Sequence, residues 1–150
     1  LKVAKKTEYG LRAMVALATL AGENQAVPLR SIAESENIPE PFLDQIVAKL
    51  RKAGFVKSVR GVNGGYMLSR PASDIRIGAL VRVLEGSLSP IDCVSEENPN
   101  STQLCGKVRA CQTRTVWLRV MEAITASLDS LSLEDVIQND VPLSVMGLSQ

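Results

Sequence analysis

Between Leu29 and Leu68 four local signals follow one another in an order that few folds accommodate. Leu29, Ile32 and Ala33 mark one face of a short helix that Asn37-Ile38-Pro39 ends. Pro41 suits the first turn of a second helix, where its missing N–H costs nothing, and Phe42, Leu43, Ile46, Val47 and Leu50 then give a core-facing stripe at helical spacing. Gly54 closes that helix. Phe55–Val59 and Tyr66–Leu68 read as strands, separated by Arg60-Gly61-Val62-Asn63-Gly64-Gly65, whose Gly and Asn residues tolerate positive φ. Two short helices joined by a three-residue turn and followed by a hairpin form a helix-turn-helix with a wing.

Charge points the same way. The first 70 residues hold 11 Lys and Arg against 6 Asp and Glu, and the remaining 80 hold 6 against 10, so an overall charge of +1 hides two halves of opposite sign. Lys49, Arg51, Lys52, Lys57 and Arg60 run without an acidic neighbour through the end of the helix and the hairpin, as a polyanion-binding surface requires. A Lys/Arg run is in other chains only a solvated face, but the order of elements around this one favours double-stranded DNA. Glu40, Pro41, Asp44 and Gln45 would lie near base edges in the major groove, Asp44 able to accept from cytosine and Gln45 to pair with adenine. Lys49, Arg51 and Lys52 would lie nearer the phosphates, with Arg30 and Ser31 of the preceding helix on the same face. Arg60 and Gly61 at the wing would meet the adjacent minor groove. The Gly-rich loop lies between strands and lacks a GxxxxGK[ST] sequence, which argues against a nucleotide cradle.

The first helix, roughly Thr7 to Ala21, carries Leu11, Met14, Val15 and Ala18 at helical spacing. Lys2, Lys5 and Lys6 ahead of an apolar run resemble a secretory signal, but Glu8 and Arg12 interrupt the pattern, and the run from Ala13 to Gly22 is too short to span a bilayer. A cytoplasmic protein with no membrane association is expected. An odd count of three Cys agrees, because a disulfide framework is improbable there and clustered thiols serve metal or redox chemistry.

Past Pro71, Ile75, Ala79, Leu80, Val83 and Leu84 predict a fourth helix. Cys93, Cys105 and Cys111 follow in or beside a polar loop, and a long helix from about Thr113 to Ser130 then presents Trp117, Val120, Met121, Ile124, Leu128 and, just beyond, Leu131 along one side. That stripe exceeds what one small winged domain can cover, so a second subunit is its expected partner. A two-fold dimer would also read a palindromic operator with half-sites about 34–36 Å apart. The alternative is an ordinary core helix. The predicted organisation is a winged helix-turn-helix domain at 1–72, a linking helix at 73–88, a cysteine loop at 89–112, a dimerisation helix at 113–131 and a C-terminal segment at 132–150. The fold class is mainly α with a small β-hairpin wing. Aromatics are 3% of the chain, so aliphatic helix packing must fill its core.

His is absent, which excludes Ser-His-Asp and Cys-His nucleophile systems, HExxH zinc sites and two-His iron sites. No paired constellation of other acid–base groups stands out, so an enzyme is not expected.

In these residues the chain resembles the IscR and NsrR family of bacterial winged-helix regulators from about Lys2 to Val136. The resemblance rests on Lys6-Thr7-Glu8-Tyr9-Gly10-Leu11-Arg12-Ala13-Met14, Val27-Pro28-Leu29-Arg30-Ser31-Ile32-Ala33, Leu50-Arg51-Lys52-Ala53-Gly54-Phe55-Val56, and Ser58-Val59-Arg60-Gly61 with Gly64-Gly65-Tyr66-Met67-Leu68. It implies a homodimeric transcription factor that senses iron–sulfur cluster, redox or nitric oxide status, with Cys93, Cys105 and Cys111 as cluster ligands. IscR-like members add a His after the third Cys, where Arg114 stands here, so a three-Cys, one-His 2Fe–2S site is excluded. The eleven residues between Cys93 and Cys105 also exceed the spacing common in the family, leaving 2Fe–2S and 4Fe–4S clusters both open. NsrR-like members take a carboxylate from the first helix of the other subunit, and the aligned residue is Glu8. A carboxylate is a weaker donor to iron than a thiolate and would suit an exchangeable position. Glu8 reads equally as a first-turn carboxylate favoured by the helix dipole. The contrasting reading is a cluster-free winged-helix regulator controlled by thiol redox state, a metabolite or a partner protein.

Overall fold

The computed structural model describes residues 1–21, 24–97 and 111–138. Helices α1 (Lys5–Leu20), α2 (Leu29–Glu36) and α3 (Glu40–Lys52) are followed by strands β1 (Val56–Val59) and β2 (Gly65–Leu68). A 3₁₀ turn (Ala72–Asp74) leads to α4 (Ile77–Glu85), and α5 (Arg114–Asp129) and α6 (Leu133–Ile137) complete the described elements. None of the described helices is long and apolar enough to cross a membrane.

One apolar core joins α1, α2, α3, α4 and α6. From α3 it takes Leu43, Ile46, Val47 and Leu50, the stripe expected from their spacing. On α1 the buried face is Gly10, Ala13, Met14 and Leu17, while Leu11, Val15 and Ala18 are half-buried. Met14 of the expected stripe is thus fully buried and its other members pack at the edge of the core, while the small Gly10 lets α4 approach. A Cβ on Gly10 would lie 2.5 Å from Leu84 Cδ1, and Leu84 is itself 1% exposed.

The turn between α2 and α3 is built by Asn37, whose φ of 53° is left-handed, and by the Ile38 N–H donating to the Ala33 carbonyl at 3.0 Å. Asn tolerates that conformation better than most residues. Pro39 precedes α3 and Pro41 occupies its first turn. In the hairpin Val56 pairs with Leu68 and Val59 with Gly65. The segment before α2 adds a third strand-like contact: Val27 and Tyr66 exchange two backbone hydrogen bonds of 2.8 Å each. Gly65 makes this possible, because its φ is +150° and a Cβ there would overlap the Val27 carbonyl.

Two features depart from the sequence reading. Leu128 and Leu131, expected to face a second subunit, pack on the core of the same chain. The chain then returns to the winged domain through α6, whose Leu133 is fully buried and donates its N–H to the Ile75 carbonyl at 2.8 Å. Ser132 and Asp135 close the start of α6 as a reciprocal capping box.

Candidate nucleic-acid interface and cysteine site

The core stripe of α3 fixes what the opposite side presents. Glu40, Pro41, Asp44, Gln45, Lys49, Arg51 and Lys52 are all exposed. The start of α3 carries Glu40, and its last turn carries Lys49, Arg51 and Lys52, so acid and base sit at the helix ends that favour them. Arg30 and Ser31 are exposed on α2. Arg30 Nε is 2.9 Å from Glu34 Oε1, and Glu34 first and Glu40 second hold its guanidinium more firmly cationic. Arg60 and Gly61 are exposed at the hairpin, Gly61 at a φ of +116°, beside a fully exposed Val62. Every residue expected to face DNA is thus solvent-accessible.

Cys93 and Cys111 are free, half-buried thiols, while Cys105 lies outside the described residues. Arg114, in the first turn of α5, connects the two: its Nε donates to the Cys93 carbonyl at 3.2 Å, three residues after Cys111. The Cys111 sulfur lies 3.2 Å from the Thr113 hydroxyl. That hydroxyl first, and the Arg114 backbone N–H second, hold the Cys111 thiol below its ordinary pKa. Trp117 is half-buried one turn along α5.

Glu8 is not brought to these thiols within the chain. It pairs with Lys5 at 3.1 Å and keeps 46% of its side chain exposed. Among the described residues, no three His, Cys, Asp or Glu side chains are arranged to hold a metal ion.

Three arginines stand where sequence periodicity gave no sign of a role. Arg114 is one. Arg12 joins α1 to the end of α2 through Glu36, and Arg82 joins α4 to both Glu96 and Asp129. The partners of Arg12 and Arg82 lie 24, 14 and 47 residues away and that of Arg114 lies 21 away, separations that carry no local signal. By contrast Lys5–Glu8 and Arg30–Glu34 have the local i,i+3 and i,i+4 spacings of helical ion pairs.

On the upper part of α5 Val116 is 54% exposed, Trp117, Val120 and Ile124 are half-buried, and Met121 is the helix's one buried residue. That part of the helix carries apolar side chains that remain partly exposed among the described residues.

Residues 3–139 match the family model of Rrf2, an iron-dependent transcriptional regulator. The chain is 39% identical over 136 residues to the transcriptional regulator CymR of Bacillus subtilis, covering 91% of this chain and 89% of CymR. The solved structure of that CymR, described as the global cysteine regulator of B. subtilis, superimposes with a TM-score of 0.75 over 93% of this chain and 98% of that one. IscR of Yersinia pseudotuberculosis is 32% identical over 145 residues, covering 97% of this chain and 84% of IscR. The structure of T. potens IscR is 42% identical, with a TM-score of 0.72 over 93% of this chain and 88% of that one. These relatives are transcriptional regulators rather than enzymes, and their structures share the helices and two-stranded wing found here. The chain belongs to the Rrf2 family of winged-helix, DNA-binding transcriptional regulators.

Proposed function

We propose that this regulator works as a homodimer on a palindromic operator and that residues 89–112 sense iron–sulfur cluster, redox or nitric oxide status. The reading rests chiefly on the hydrogen bond from Arg114 to the Cys93 carbonyl, which ties the segment's first cysteine to the turn that carries its last. Both thiols are half-buried; Cys111 stands just ahead of α5, whose first turn also holds the Cys93 carbonyl and whose apolar side is partly exposed. A change in what they bind therefore acts on the surface available to a second subunit.

The donor set fits an iron–sulfur cluster in kind. Cys93, Cys105 and Cys111 would supply thiolates, and Glu8 of the other subunit would supply a carboxylate. When bound, the cluster supplies redox and ligand-exchange chemistry. The chain's own contribution is to favour thiolate at Cys111, through Thr113 and Arg114, and to hold Cys93 by its backbone.

On DNA, α3 would carry Glu40, Pro41, Asp44 and Gln45 to base edges, while Lys49, Arg51, Lys52, Arg30 and Ser31 serve the backbone and Arg60 with Gly61 serves the minor groove. The second reading, a cluster-free thiol regulator, has its own support in the Lys5–Glu8 pair, which gives Glu8 an ordinary surface role, and in the cysteine-linked description of CymR.

Affinity for a DNA duplex selected from a random pool by the parent protein, measured reduced and after loading with iron and sulfide, tests the proposal. A difference between the two states is expected. Equal affinity in both states, with iron and sulfide retained, would refute cluster sensing.

A further inference from the structure

We propose that Arg82 is a positioning residue that couples the cysteine segment to the DNA-binding head, an inference that rests on the sensing role assigned to that segment above. Its guanidinium is shared between two carboxylates from different elements. Nε and Nη2 donate to Glu96 Oε1 at 3.1 and 2.8 Å, and Nη1 and Nη2 donate to Asp129 at 2.6 and 2.9 Å. Glu96 follows Cys93 by three residues, and Asp129 is the last residue of the helix that begins three residues after Cys111. Both ends of the cysteine segment therefore reach one cation on α4, one directly and the other along α5.

Arg82 cannot respond to one arm without the other. It brings one positive charge to two negative ones, so weakening the Glu96 arm leaves the guanidinium to Asp129. A cleft of about 490 Å³ opens between the end of α4 at Gly86 and Ser87 and the loop at Ser95 and Glu96, giving the loop arm room to move. The α5 arm is close-packed by contrast: a Cβ on Gly78 would overlap the Asp129 carboxylate.

From α4 the connection to the head is short. Leu84 fills the space that Gly10 leaves on α1. Glu85 accepts from the Thr7 hydroxyl, and from the Ala4 N–H at 3.3 Å, so α4 also holds the first turn of α1. Tyr9, just past that turn, meets the Phe42 ring of α3 edge-on, with centroids 5.6 Å apart. Close-packed interiors pass displacements on rather than absorbing them, so a shift of α4 reaches α3 through two named contacts.

The test compares the parent, Arg82→Met and Glu96→Gln on a duplex selected by the parent. Affinity is measured with reduced thiols, after iron and sulfide loading and after carbamidomethylation, and the treatment that moves the parent further is used for the variants. The parent is expected to change affinity by roughly fivefold or more, the lower range of coupling between sites. Both variants are expected to respond by less than about twofold while binding DNA in the reduced state as the parent does. A merely structural role for Arg82 would lower reduced-state binding and leave the response ratio intact. Variants that respond as fully as the parent overturn the role of Arg82 alone. A parent that responds to neither treatment overturns the sensing role itself, and this proposal with it. Should Arg82→Met fail to fold, Glu96→Gln decides, because it weakens the loop arm and leaves the Asp129 arm in place.

Discussion

Arg12 closes the end of α2 from across the domain, its Nε donating to the Glu36 carboxylate at 3.2 Å and its Nη2 to the Glu36 backbone carbonyl. That carbonyl belongs to the last residue of a helix and lacks an ordinary intrahelical partner. The same guanidinium stands 5.5 Å from the centre of the Tyr9 ring, which itself meets Phe42 of α3. One side chain of α1 thereby steadies both sides of the helix-turn-helix.

Arg12→Met keeps the aliphatic stem and removes both hydrogen bonds. With Arg12 40% exposed, screening reduces the cost to about 1 kcal/mol of unfolding free energy. Urea denaturation should show that loss together with weaker DNA binding. Unchanged stability and affinity would remove Arg12 from this role.

The helix-turn-helix was legible because its signals are local: the stripe of Leu43, Ile46, Val47 and Leu50, the Asn37 turn, and glycines at the wing. The exposed face of α3 follows from the same periodicity. The Val27–Tyr66 bridge, the return of α6 onto the core and the double pairing of Arg82 join residues far apart in sequence, so no periodicity announces them. On α1 the spacing of Leu11, Met14, Val15 and Ala18 marks the core side, with Met14 fully buried, but it gives no sign of the close approach at Gly10.

Lys49→Ala and Arg60→Ala should weaken DNA binding in different ways. Losing a phosphate contact at Lys49 lowers affinity evenly across sequences and reduces the salt slope by about 1. Losing Arg60 penalises duplexes with a narrow A·T minor groove most. Fluorescence anisotropy across salt concentrations and two duplexes separates them. Equal loss on both duplexes for Arg60→Ala would exclude minor-groove reading.

Gly65→Ala should damage the wing. The Val27 carbonyl that a Cβ would meet is backbone and cannot rotate away, and the positive φ adds strain. A loss of about 2–3 kcal/mol is expected, with faster amide exchange at Val27 and Tyr66. Parent-like exchange at both would contradict the bridge.

Acid should weaken the fold through Asp129 and Asp135. Arg82 holds the first below the ordinary carboxylate pKa of 3.8, and the Ser132 backbone N–H and hydroxyl do so for the second. A depressed folded-state pKa gives stability that is full above the unfolded value and is lost as pH falls through and below it. Melting temperature should therefore drop between about pH 5 and about pH 3. The Asp129→Asn, Asp135→Asn double variant should start lower and fall less steeply. A slope equal to the parent's would show that neither pairing contributes.

The most direct test of the central claim is the iron and acid-labile sulfide content per chain after anaerobic purification, measured on the parent and on Cys111→Ser. The account predicts a coloured parent carrying both elements and a Cys111→Ser protein that folds with the same helical content but retains neither. A parent that cannot be loaded, or a variant that holds as much iron and sulfide as the parent, would contradict it.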